Sequence, residues 1–344
     1  MDLYERLKQK AYIIAEMSAN HAGSLVRAKE IIYAAKEAGA DCIKIQTYTP
    51  DTMTIDCDNK YFHISNGTWA GENLYHLYKQ AYTPWEWQAE LKETADEIGI
   101  DFFSTPFDKT SVDFLESIGI GFYKIASFEL IDIPLLEYVA SMAKPMIVST
   151  GMSNLAEIDE AVRTIRSKGN EQIVLLRCAS AYPAITDEMN LKTMQNMAEI
   201  FHVPVGLSDH SMGSVGAVAA VALGASVIEK HFCLGREIKN PDSAFSMNPA
   251  EFSQMVKDIR QAEKAVGKVS YGQTKQEETN IVFRRSVFCV RDIKKGEMIT
   301  EENVRVIRPG YGLEPRYYYE ILGQTALHDI KRGTPMKLDM IGRI

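Results

Sequence analysis

The chain has 344 residues, which is enough for two domains or for one large barrel with an appendage. Hydrophobic residues make up 46% and charged residues 24% of it, a composition that excludes disordered, collagen-like and coiled-coil proteins. Its 38 basic and 46 acidic side chains give a formal net charge of −8, which argues against general binding of nucleic acid or anionic membranes, so an anionic ligand needs a local basic pocket.

Short apolar runs rich in β-branched and aromatic residues predict eight buried strands. These runs are 12–17, 42–47, 101–106, 122–127, 145–150, 173–180, 203–209 and 226–232. Helix-like segments lie between most of them, such as 24–39, which has apolar residues at helical spacing and ends at Gly39. Eight βα units in about 270 residues predict an α/β fold of the (β/α)8 TIM-barrel type, with a doubly wound sheet as the alternative.

Two segments depart from this alternation. The connection after the second strand is unusually long, because 51–82 precedes the helix that Pro84 introduces, and we expect this insertion to cap the mouth of the barrel. Beyond the last helical pattern, short alternating runs separated by turns suggest a small β-rich module with a loose internal repeat. The predicted domains are a barrel over 1–270, a linker over 271–283 and the module over 284–344.

The cysteines and the N-terminal segment bear on the compartment. The five cysteines are far apart and form no CxxC pair, so we expect neither a zinc cluster nor a disulfide framework but reduced thiols in a cytoplasm. The apolar run before Glu16 is too short for a signal peptide, and the longest one, 216–228, is too short to cross a bilayer. The sequence therefore predicts a cytoplasmic protein with no membrane contact.

Nearly every predicted strand ends in polar residues, at the edge where a barrel of this type carries its chemistry. Lys44 and Lys124 lie inside apolar runs of separate strands, where two ammonium groups can converge on a phosphate or a carboxylate. The alternatives are structurally paired or snorkelling lysines and a Schiff-base lysine. Further hydroxyl donors to an anion would be Ser104, Thr105, Ser127, Ser149 and Thr150.

Two histidines end neighbouring strands of the closed barrel. His210 directly follows the seventh run and His231 lies near the end of the eighth, so their imidazoles could bind one divalent ion in an open site, or one or both could simply be hydrogen-bonded. Glu16, beside the eighth strand, could complete the ligand set or act as a base. Strand alternation puts Glu229 and His231 on one face and Lys230 on the other.

Glu129 follows the fourth strand, near the position to which Lys124 should project. A carboxylate there is either a structural ion pair or a proton carrier whose pKa the lysine tunes. The sequence has no glycine-rich nucleotide loop, no nucleophile elbow and no His-Glu-x-x-His zinc motif, which argues against nucleotide-dependent and triad chemistries.

Taken together and in order, several motifs resemble the sialic acid synthase family. They are Glu16 with Asn20-His21, Lys44-Ile45-Gln46-Thr47, 123–129, Ser149-Thr150-Gly151-Met152, Tyr182-Pro183, 206–210 and Glu229-Lys230-His231-Phe232. The tail, with Lys295-Gly296-Glu297 and Arg308-Pro309-Gly310, looks like that family's C-terminal antifreeze-like (SAF) domain. Met17-Ser18-Ala19-Asn20, Phe128 and the segments 73–79 and 82–87 resemble the pseudaminic acid branch.

The resemblance implies an enzyme, a transferase that condenses phosphoenolpyruvate with an open-chain N-acetylated sugar and releases phosphate. In the pseudaminic acid branch the implied sugar is 2,4-diacetamido-2,4,6-trideoxy-L-altrose, which gives pseudaminic acid. The alternative is an N-acetylneuraminate or legionaminate synthase that acts on a sugar of the N-acetylmannosamine type. The resemblance also implies a homodimer whose subunits exchange C-terminal domains.

Carried over position by position, the resemblance implies three groups of site residues. Phosphoenolpyruvate would be held by Lys44, Thr105, Lys124, Ser127, Ser149, Ser180 and Ser208. The sugar would face Glu16, Gln46, Tyr182, Glu229 and Asp242, with Arg308 reaching in from the other subunit. His210 and His231 would bind Mn2+ or Mg2+, and the base that activates water would be Glu129 or Glu16.

Two other classes of function compete with this one. A synthase of a seven- or eight-carbon keto acid would use a similar barrel with lysines but should lack the C-terminal module. A non-catalytic carbohydrate- or ice-binding role is suggested by the tail alone, and a long barrel with polar strand ends argues against it.

Overall fold

The structure is a computed structural model that describes residues 3–342. The chain divides after Gly267 into two compact units, each with its own hydrophobic core. No helix in the described part of the chain is both long and apolar enough to cross a bilayer.

The first unit is a closed barrel of eight parallel strands. They are β1 (Tyr12–Glu16), β2 (Cys42–Thr47), β3 (Asp101–Pro106), β4 (Tyr123–Ile125), β5 (Met146–Ser149), β6 (Ile173–Cys178), β7 (Val205–Asp209) and β8 (Val227–His231). Each strand pairs with the next, and β8 pairs with β1 to close the ring. All eight predicted strands are present, and the predicted (β/α)8 architecture is confirmed. The doubly wound alternative is wrong, because such a sheet is open and has two edge strands, whereas every strand here pairs on both sides.

Helices follow the strands around the outside. The first unit contains α1 (Leu3–Leu7), α2 (Leu25–Glu37), α3 (Pro50–Met53), α4 (Leu74–Ala81), α5 (Trp85–Ile98), α6 (Lys109–Ser117), α7 (Ile133–Ser141), α8 (Leu155–Ser167), α9 (Thr193–Phe201), α10 (Val215–Ala222) and α11 (Pro249–Val266). Several begin at side-chain caps, as in α8, where Asn154 and Glu157 form a capping box. At Gly39, after α2, φ is +95° and an added Cβ would lie 3.1 Å from Val256, so a side chain is disfavoured there.

The apolar core has two layers, because successive residues of each strand point to opposite faces. On β1, Ile13 and Ala15 pack outward against the helices, whereas Tyr12 and Ile14 point into the barrel. The inward layer fills the lower barrel with large apolar side chains, including Phe103. Polar residues follow above this floor, so the interior is a cup with an apolar base and a charged mouth.

The second unit is small and rich in short strands. It contains β9 (Ser286–Cys289) paired antiparallel with β10 (Val304–Ile307), helix α12 (Tyr318–Ile321), and β11 (Thr325–Ala326) paired with β12 (Ile341–Gly342). Its core includes Val287, Ile299 and Met336, all fully buried. A 3-10 turn, Glu278–Phe283, precedes the first of these strands.

The repeat seen in the tail sequence has a structural basis. The two copies, residues 292–296 and 329–333, meet at a bridge between Ile293 and Ile330. The Asp329 carboxylate accepts a hydrogen bond from the Lys295 backbone N–H at 2.9 Å. Asp292 accepts one from the Arg332 N–H at 2.8 Å. Each copy therefore caps the turn of the other.

Candidate active site at the mouth of the barrel

Inward-facing polar side chains near the carboxyl ends of the strands meet in one cluster. Register places Glu16 beside Lys44 on the neighbouring strand, and Ser208 beside Glu229. Glu16, Lys44, Lys124 and Glu229 are each less than 5% exposed. Four buried ionisable groups in one place are costly unless they are paired, so their arrangement decides the chemistry.

The two lysines share one carboxylate. Glu229 Oε1 lies 3.7 Å from Lys44 Nζ and 3.4 Å from Lys124 Nζ. Lys44 also forms a close ion pair with Glu16 and donates to Thr105 Oγ1 at 3.1 Å. The two lysines thus converge, as predicted. Each also has a carboxylate partner, so the alternative that they are structurally paired lysines describes this structure as well.

The surroundings of these groups shift their pKa values in different directions. Burial lowers the pKa of Lys124, and Glu229 only partly offsets it. Burial acts in the same direction on Lys44, but Glu16 and Glu229 outweigh it and the net pKa is raised. Burial raises the pKa of Glu16, whereas in Glu229 the two lysines outweigh burial and lower the pKa. Glu229 is therefore the carboxylate held ionised.

Two atoms of this cluster are left without a partner. Glu229 Oε1 accepts from Ser208 Oγ at 3.1 Å, but its Oε2 is buried and makes no hydrogen bond. Ser149 Oγ, at the end of β5, is also buried without a partner. Because an unsatisfied buried polar atom costs about 1–3 kcal/mol, such atoms in a cup are positions where a polar ligand is expected to bind.

The remaining hydroxyls divide into two groups. Ser104 and Thr150 donate to the backbone carbonyls of Ile45 and Leu176, so they belong to the scaffold and do not supply the free donors predicted for them. Ser127 and Ser180 both face the turn at Gly151, where an added Cβ would lie 2.6 Å from each hydroxyl oxygen. The turns after β4, β5 and β6 therefore bring these two hydroxyls together.

Glu129 ends the 3-10 turn Ser127–Glu129 that follows β4. Its Oε2 is buried without a hydrogen-bond partner. Burial raises the pKa of Glu129 to about 7, and the charge of Lys124 opposes this rise only in part. Proximity to Lys124 was predicted, and the structure adds that this carboxyl changes its protonation state near neutral pH.

His210 and His231 lie side by side at the ends of β7 and β8, with ring centroids 5.3 Å apart. His210 Nδ1 contacts the Ala179 carbonyl at 3.2 Å and Cys178 Sγ at 3.6 Å. His231 Nδ1 is buried without a hydrogen-bond partner. Simple hydrogen bonding, the alternative to metal binding, therefore accounts for Nδ1 of His210 but leaves Nδ1 of His231 unexplained.

These residues are compatible with a divalent ion. Burial, together with the nearby charge of His210, lowers the pKa of His231 well below its usual value, and the neutral imidazole is the form that binds metals. Burial also acts to lower the pKa of His210, but Cys178 outweighs it and the net pKa is raised, so His210 would release a proton when a metal binds. No cluster of three or more His, Cys, Asp or Glu side chains suited to a metal exists in the described part of the chain. The pair thus fits an open site in which substrate or water completes the coordination.

A buried ion pair lies behind the two histidines, on the outer face of the barrel. Lys230 Nζ lies 2.7 Å from Asp209 Oδ2 and also donates to the carbonyls of Ser211 and Gly213. Lys230 therefore faces outward, opposite to Glu229 and His231, as the alternation predicted. Because Asp209 and Lys230 precede His210 and His231 directly, this pair ties together the two strand ends that carry the histidines.

Aromatic side chains form one wall of the mouth. The Tyr182 ring lies 4.4 Å from the His210 ring, 5.3 Å from Phe245 and 5.4 Å from Trp69. Sequence reasoning assigned Tyr182 but missed Phe245 and Trp69, because neither follows a strand directly. Trp69 does lie in the predicted cap, so an unusual insertion that contains a tryptophan was the signal available for it.

The other two residues predicted to face the sugar are also at the mouth. Gln46 Nε2 donates to Glu16 Oε1 at 3.1 Å and to Ser18 Oγ at 3.0 Å. Asp242 Oδ2 accepts from the Ala19 N–H at 3.2 Å and lies 4.0 Å from His231 Nδ1. Arg308, in contrast, is an exposed residue of the second unit, directly after β10.

Comparison with known proteins adds a family to this geometry. The NeuB family matches residues 31–271 and the SAF domain matches residues 284–342. A pseudaminic acid synthase from Campylobacter jejuni is 48% identical over 96% of this chain and 96% of its own. One from Helicobacter pylori is 45% identical over 97% of this chain and 99% of its own.

Relatives of other specificity are more distant. An N,N'-diacetyllegionaminic acid synthase from Legionella pneumophila is 39% identical over 94% of this chain and 93% of its own. Among solved structures, the N-acetylneuraminic acid synthetase of Leptospira borgpetersenii matches with a TM-score of 0.71 and 32% identity. That match covers 79% of this chain and 90% of the other.

Proposed function

Because the chain belongs to the NeuB family and carries a SAF domain, as its motifs predicted, we propose that it is a pseudaminic acid synthase. The observation that carries this proposal is an identity of 45–48% with pseudaminic acid synthases over nearly the whole chain, against 39% with a legionaminic acid synthase. The enzyme would condense phosphoenolpyruvate with 2,4-diacetamido-2,4,6-trideoxy-L-altrose, form a carbon–carbon bond and release phosphate.

We assign phosphoenolpyruvate to the lower part of the charged mouth, directly above the apolar floor of the cup. Its partners would be Lys44, Thr105, Lys124, Ser127, Ser149, Ser180 and Ser208. Two buried ammonium groups would neutralise much of the charge of this anion, and charge-assisted hydrogen bonds from the lysines would orient it. The partnerless hydroxyl of Ser149 supports this assignment, since the ligand would supply its missing acceptor.

We propose that His210 and His231 hold a divalent ion. The resemblance implies Mn2+ or Mg2+, and because a pair of imidazoles suits a transition-metal ion better than Mg2+, which prefers an all-oxygen shell, Mn2+ is the first of the two to test. When bound, the ion would polarise the aldehyde oxygen of the sugar as a Lewis acid. The sugar itself would lie above phosphoenolpyruvate, against Glu16, Gln46, Tyr182, Glu229 and Asp242.

The protein residues then have defined roles in the reaction. Carbon 3 of phosphoenolpyruvate attacks the sugar aldehyde, water adds to carbon 2, and the tetrahedral intermediate expels phosphate. Activation of that water needs a base. Glu16 is paired with Lys44 and Glu229 with both lysines, which lower the pKa of Glu229, whereas Glu129 has no ion-pair partner among the described residues and a pKa raised by burial to about 7. We therefore assign the proton from water to Glu129.

We propose that the active enzyme is a homodimer in which Arg308 completes the site of the other subunit. The support is a rim of exposed apolar side chains on the loops that follow β4 to β7. The rim consists of Phe128, Ile131, Met152, Leu155, Ile185, Met212 and Val215, each more than half exposed. Contiguous loops that expose this much apolar surface are typical of a protein interface.

We also propose that the enzyme works in the cytoplasm. All five cysteines lie in the described part of the chain and are free thiols there, which fits a reducing compartment. Four of the five are buried, so they are protected from oxidation as well.

One experiment tests the proposal as a whole. Metal-stripped protein is incubated with phosphoenolpyruvate and either the diacetamido-trideoxy-altrose or N-acetylmannosamine, with and without Mn2+, and phosphate release is followed. We expect release with the first sugar and metal only. Release with N-acetylmannosamine instead would move the enzyme to the neuraminate branch, and release without metal would overturn the metal assignment.

A further inference from the structure

The insertion after β2 contains a short closed loop, residues 63–73, here called the latch loop. Its ends are joined by a bridge between His63 and Asn73. Inside it, the Ile64 N–H donates to the Glu72 carbonyl at 2.9 Å and the Gly71 N–H donates to the Ile64 carbonyl at 2.8 Å. These hydrogen bonds give the loop a defined shape and fix the direction in which its tip, Thr68 and Trp69, projects.

The tip contacts two other segments of the mouth. The Thr68 hydroxyl donates to the Tyr182 carbonyl, in the connection after β6. Trp69 Nε1 donates to the Pro241 carbonyl, in the connection after β8, at 3.1 Å, and the Trp69 ring packs on the Tyr182 ring. In the closed ring of eight strands β6 lies opposite β2, so the latch loop reaches across the opening.

Both segments held in this way carry residues assigned to the sugar. Tyr182 itself packs on His210 and Phe245, and Pro241 directly precedes Asp242. Of the residues assigned to phosphoenolpyruvate, Ser180 lies in the same connection as Tyr182, two residues before it. The others lie below, on the strands and the other turns, and the hydrogen bonds of Thr68 and Trp69 reach none of them. The latch loop therefore acts mainly on the half of the site that is assigned to the sugar.

We propose that Thr68 and Trp69 are positioning residues that set the affinity for the acceptor sugar, by holding the Tyr182 and Asp242 segments in place above phosphoenolpyruvate. This rests on the proposed function for the identity of the two substrates. When the sugar pocket is already ordered, no binding energy is used to order it. Loss of the latch-loop contacts should therefore weaken sugar binding more than it slows catalysis.

The test uses variants that each remove one hydrogen bond and keep most of the volume. Thr68→Val and Trp69→Phe in the full-length, metal-loaded enzyme should each raise the KM for the sugar about 5- to 10-fold, as the loss of one hydrogen bond implies. The KM for phosphoenolpyruvate should change less than twofold. Thr68→Ser, which keeps the hydroxyl, should restore the wild-type values, and Asn66→Ala in the same loop is the matched control.

A second readout needs no substrate. Hydrogen exchange of the backbone amides in 180–184 and 239–243 should be faster in Thr68→Val and Trp69→Phe than in the wild type and the Asn66 control. Unchanged exchange, or an equal rise in both KM values, would overturn the proposal. If the wild type used neither sugar, the proposed function would fail, while the exchange data would still decide whether the latch loop holds these segments.

Discussion

Glu16 and Glu129 are both carboxyls at the mouth of the barrel, yet their neighbours differ. Glu16 is paired with Lys44 and accepts from Gln46, and both partners oppose the rise in its pKa that burial causes. Glu129 has a buried oxygen without a partner, and burial raises its pKa to about 7. A group that is half ionised near neutrality is suited to accept and return a proton, which favours Glu129 as the base.

Replacing Glu129 with Gln should therefore change both the rate and the pH profile. In the wild type, kcat/KM should fall below about pH 7 as Glu129 becomes protonated. In Glu129→Gln, kcat should fall about 100-fold or more, and the fall in kcat/KM below about pH 7 that Glu129 causes should disappear. Steady-state kinetics from pH 5.5 to 9 measure this, with Glu93→Gln on α5 as an exposed control, and near-normal turnover by Glu129→Gln would remove the residue from this role.

The same variant has an expected effect on stability. Because the folded pKa of Glu129 is raised to about 7, the native state holds its proton more tightly, and the stability this provides is lost as pH rises through that value. Gln remains neutral, so Glu129→Gln should match the wild type near pH 4.5 and exceed it by up to about 3 kcal/mol near pH 8. Urea denaturation of both proteins at both pH values measures the difference in the free energy of unfolding. A wild type that is as stable as Glu129→Gln at pH 8, or more stable, would contradict the prediction.

The buried pair of Lys230 and Asp209 should matter far more than ion pairs on the surface. Removing one partner leaves an uncompensated buried charge, which costs about 3–5 kcal/mol, so Lys230→Met should lower the free energy of unfolding by about that amount. Lys92→Met, which breaks an i,i+4 pair with Asp96 on the outside of α5, is the matched control and should cost less than about 1 kcal/mol. Equal losses of unfolding free energy in chemical denaturation would show that the buried pair of Lys230 and Asp209 contributes no more to stability than a surface ion pair does.

At the scale of elements, the turn after β5 lies against hydroxyl donors from the two neighbouring connections, those after β4 and β6. Gly151 has a φ of +37°, and a Cβ added there would lie 2.4 Å from the Ser127 Cβ and 2.6 Å from the Ser180 hydroxyl. A side chain at this position must displace both serines. The turn is thus a close approach that only glycine permits, which explains the glycine between Thr150 and Met152.

Gly151→Ala should therefore act on phosphoenolpyruvate more than on the sugar. We expect the KM for phosphoenolpyruvate to rise about tenfold or more, with a small change in the KM for the sugar, since both displaced hydroxyls are assigned to phosphoenolpyruvate. Gly119→Ala is the control, because Gly119 also has a positive φ, +72°, but open space around it. That variant should lose about 1 kcal/mol of stability and keep its kinetics, whereas similar kinetic losses in both would implicate backbone strain alone.

At the scale of the whole molecule, the proposed enzyme depends on two copies of the chain. Lys124 lies in the barrel and Arg308 in the second unit, on opposite sides of the division after Gly267. If each barrel uses the Arg308 of the partner, the contributions of Lys124 and Arg308 to one site come from different chains and can be tested in dimers of two different variants. A dimer of one Lys124→Met chain and one Arg308→Ala chain would then have one site with both defects and one site with none.

Co-expression of the two variants should consequently restore activity. Each variant alone should be nearly inactive, and random pairing should recover about a quarter of wild-type activity, because half of the dimers are mixed and each has one intact site. Differently tagged chains allow the mixed dimer to be purified, and phosphate release by that dimer should reach about half of the wild-type rate, because one of its two sites is intact. If the mixed dimer were no more active than its parents, Arg308 would have to act within its own chain or play no part in the reaction.

Much of this molecule could be predicted from local patterns. Apolar runs with polar ends predicted all eight strands. Alternation predicted that Lys230 faces away from Glu229 and His231, because residues two apart in a strand point to the same face and adjacent residues point to opposite faces. The short repeat at 292–296 and 329–333 was visible in the sequence, but only the structure shows that each copy caps the turn of the other. Family motifs predicted the class of reaction, since their order along the chain is itself specific.

Tertiary structure alone decided which groups meet. Strand register set Glu229 between two lysines, and the backbone carbonyls near Ser104 and Thr150 took up hydroxyls that the sequence offered as ligand donors. The contacts of Thr68 and Trp69 join segments more than a hundred residues apart. No local pattern encodes such pairings, because they arise only when the barrel closes and its loops converge at one end.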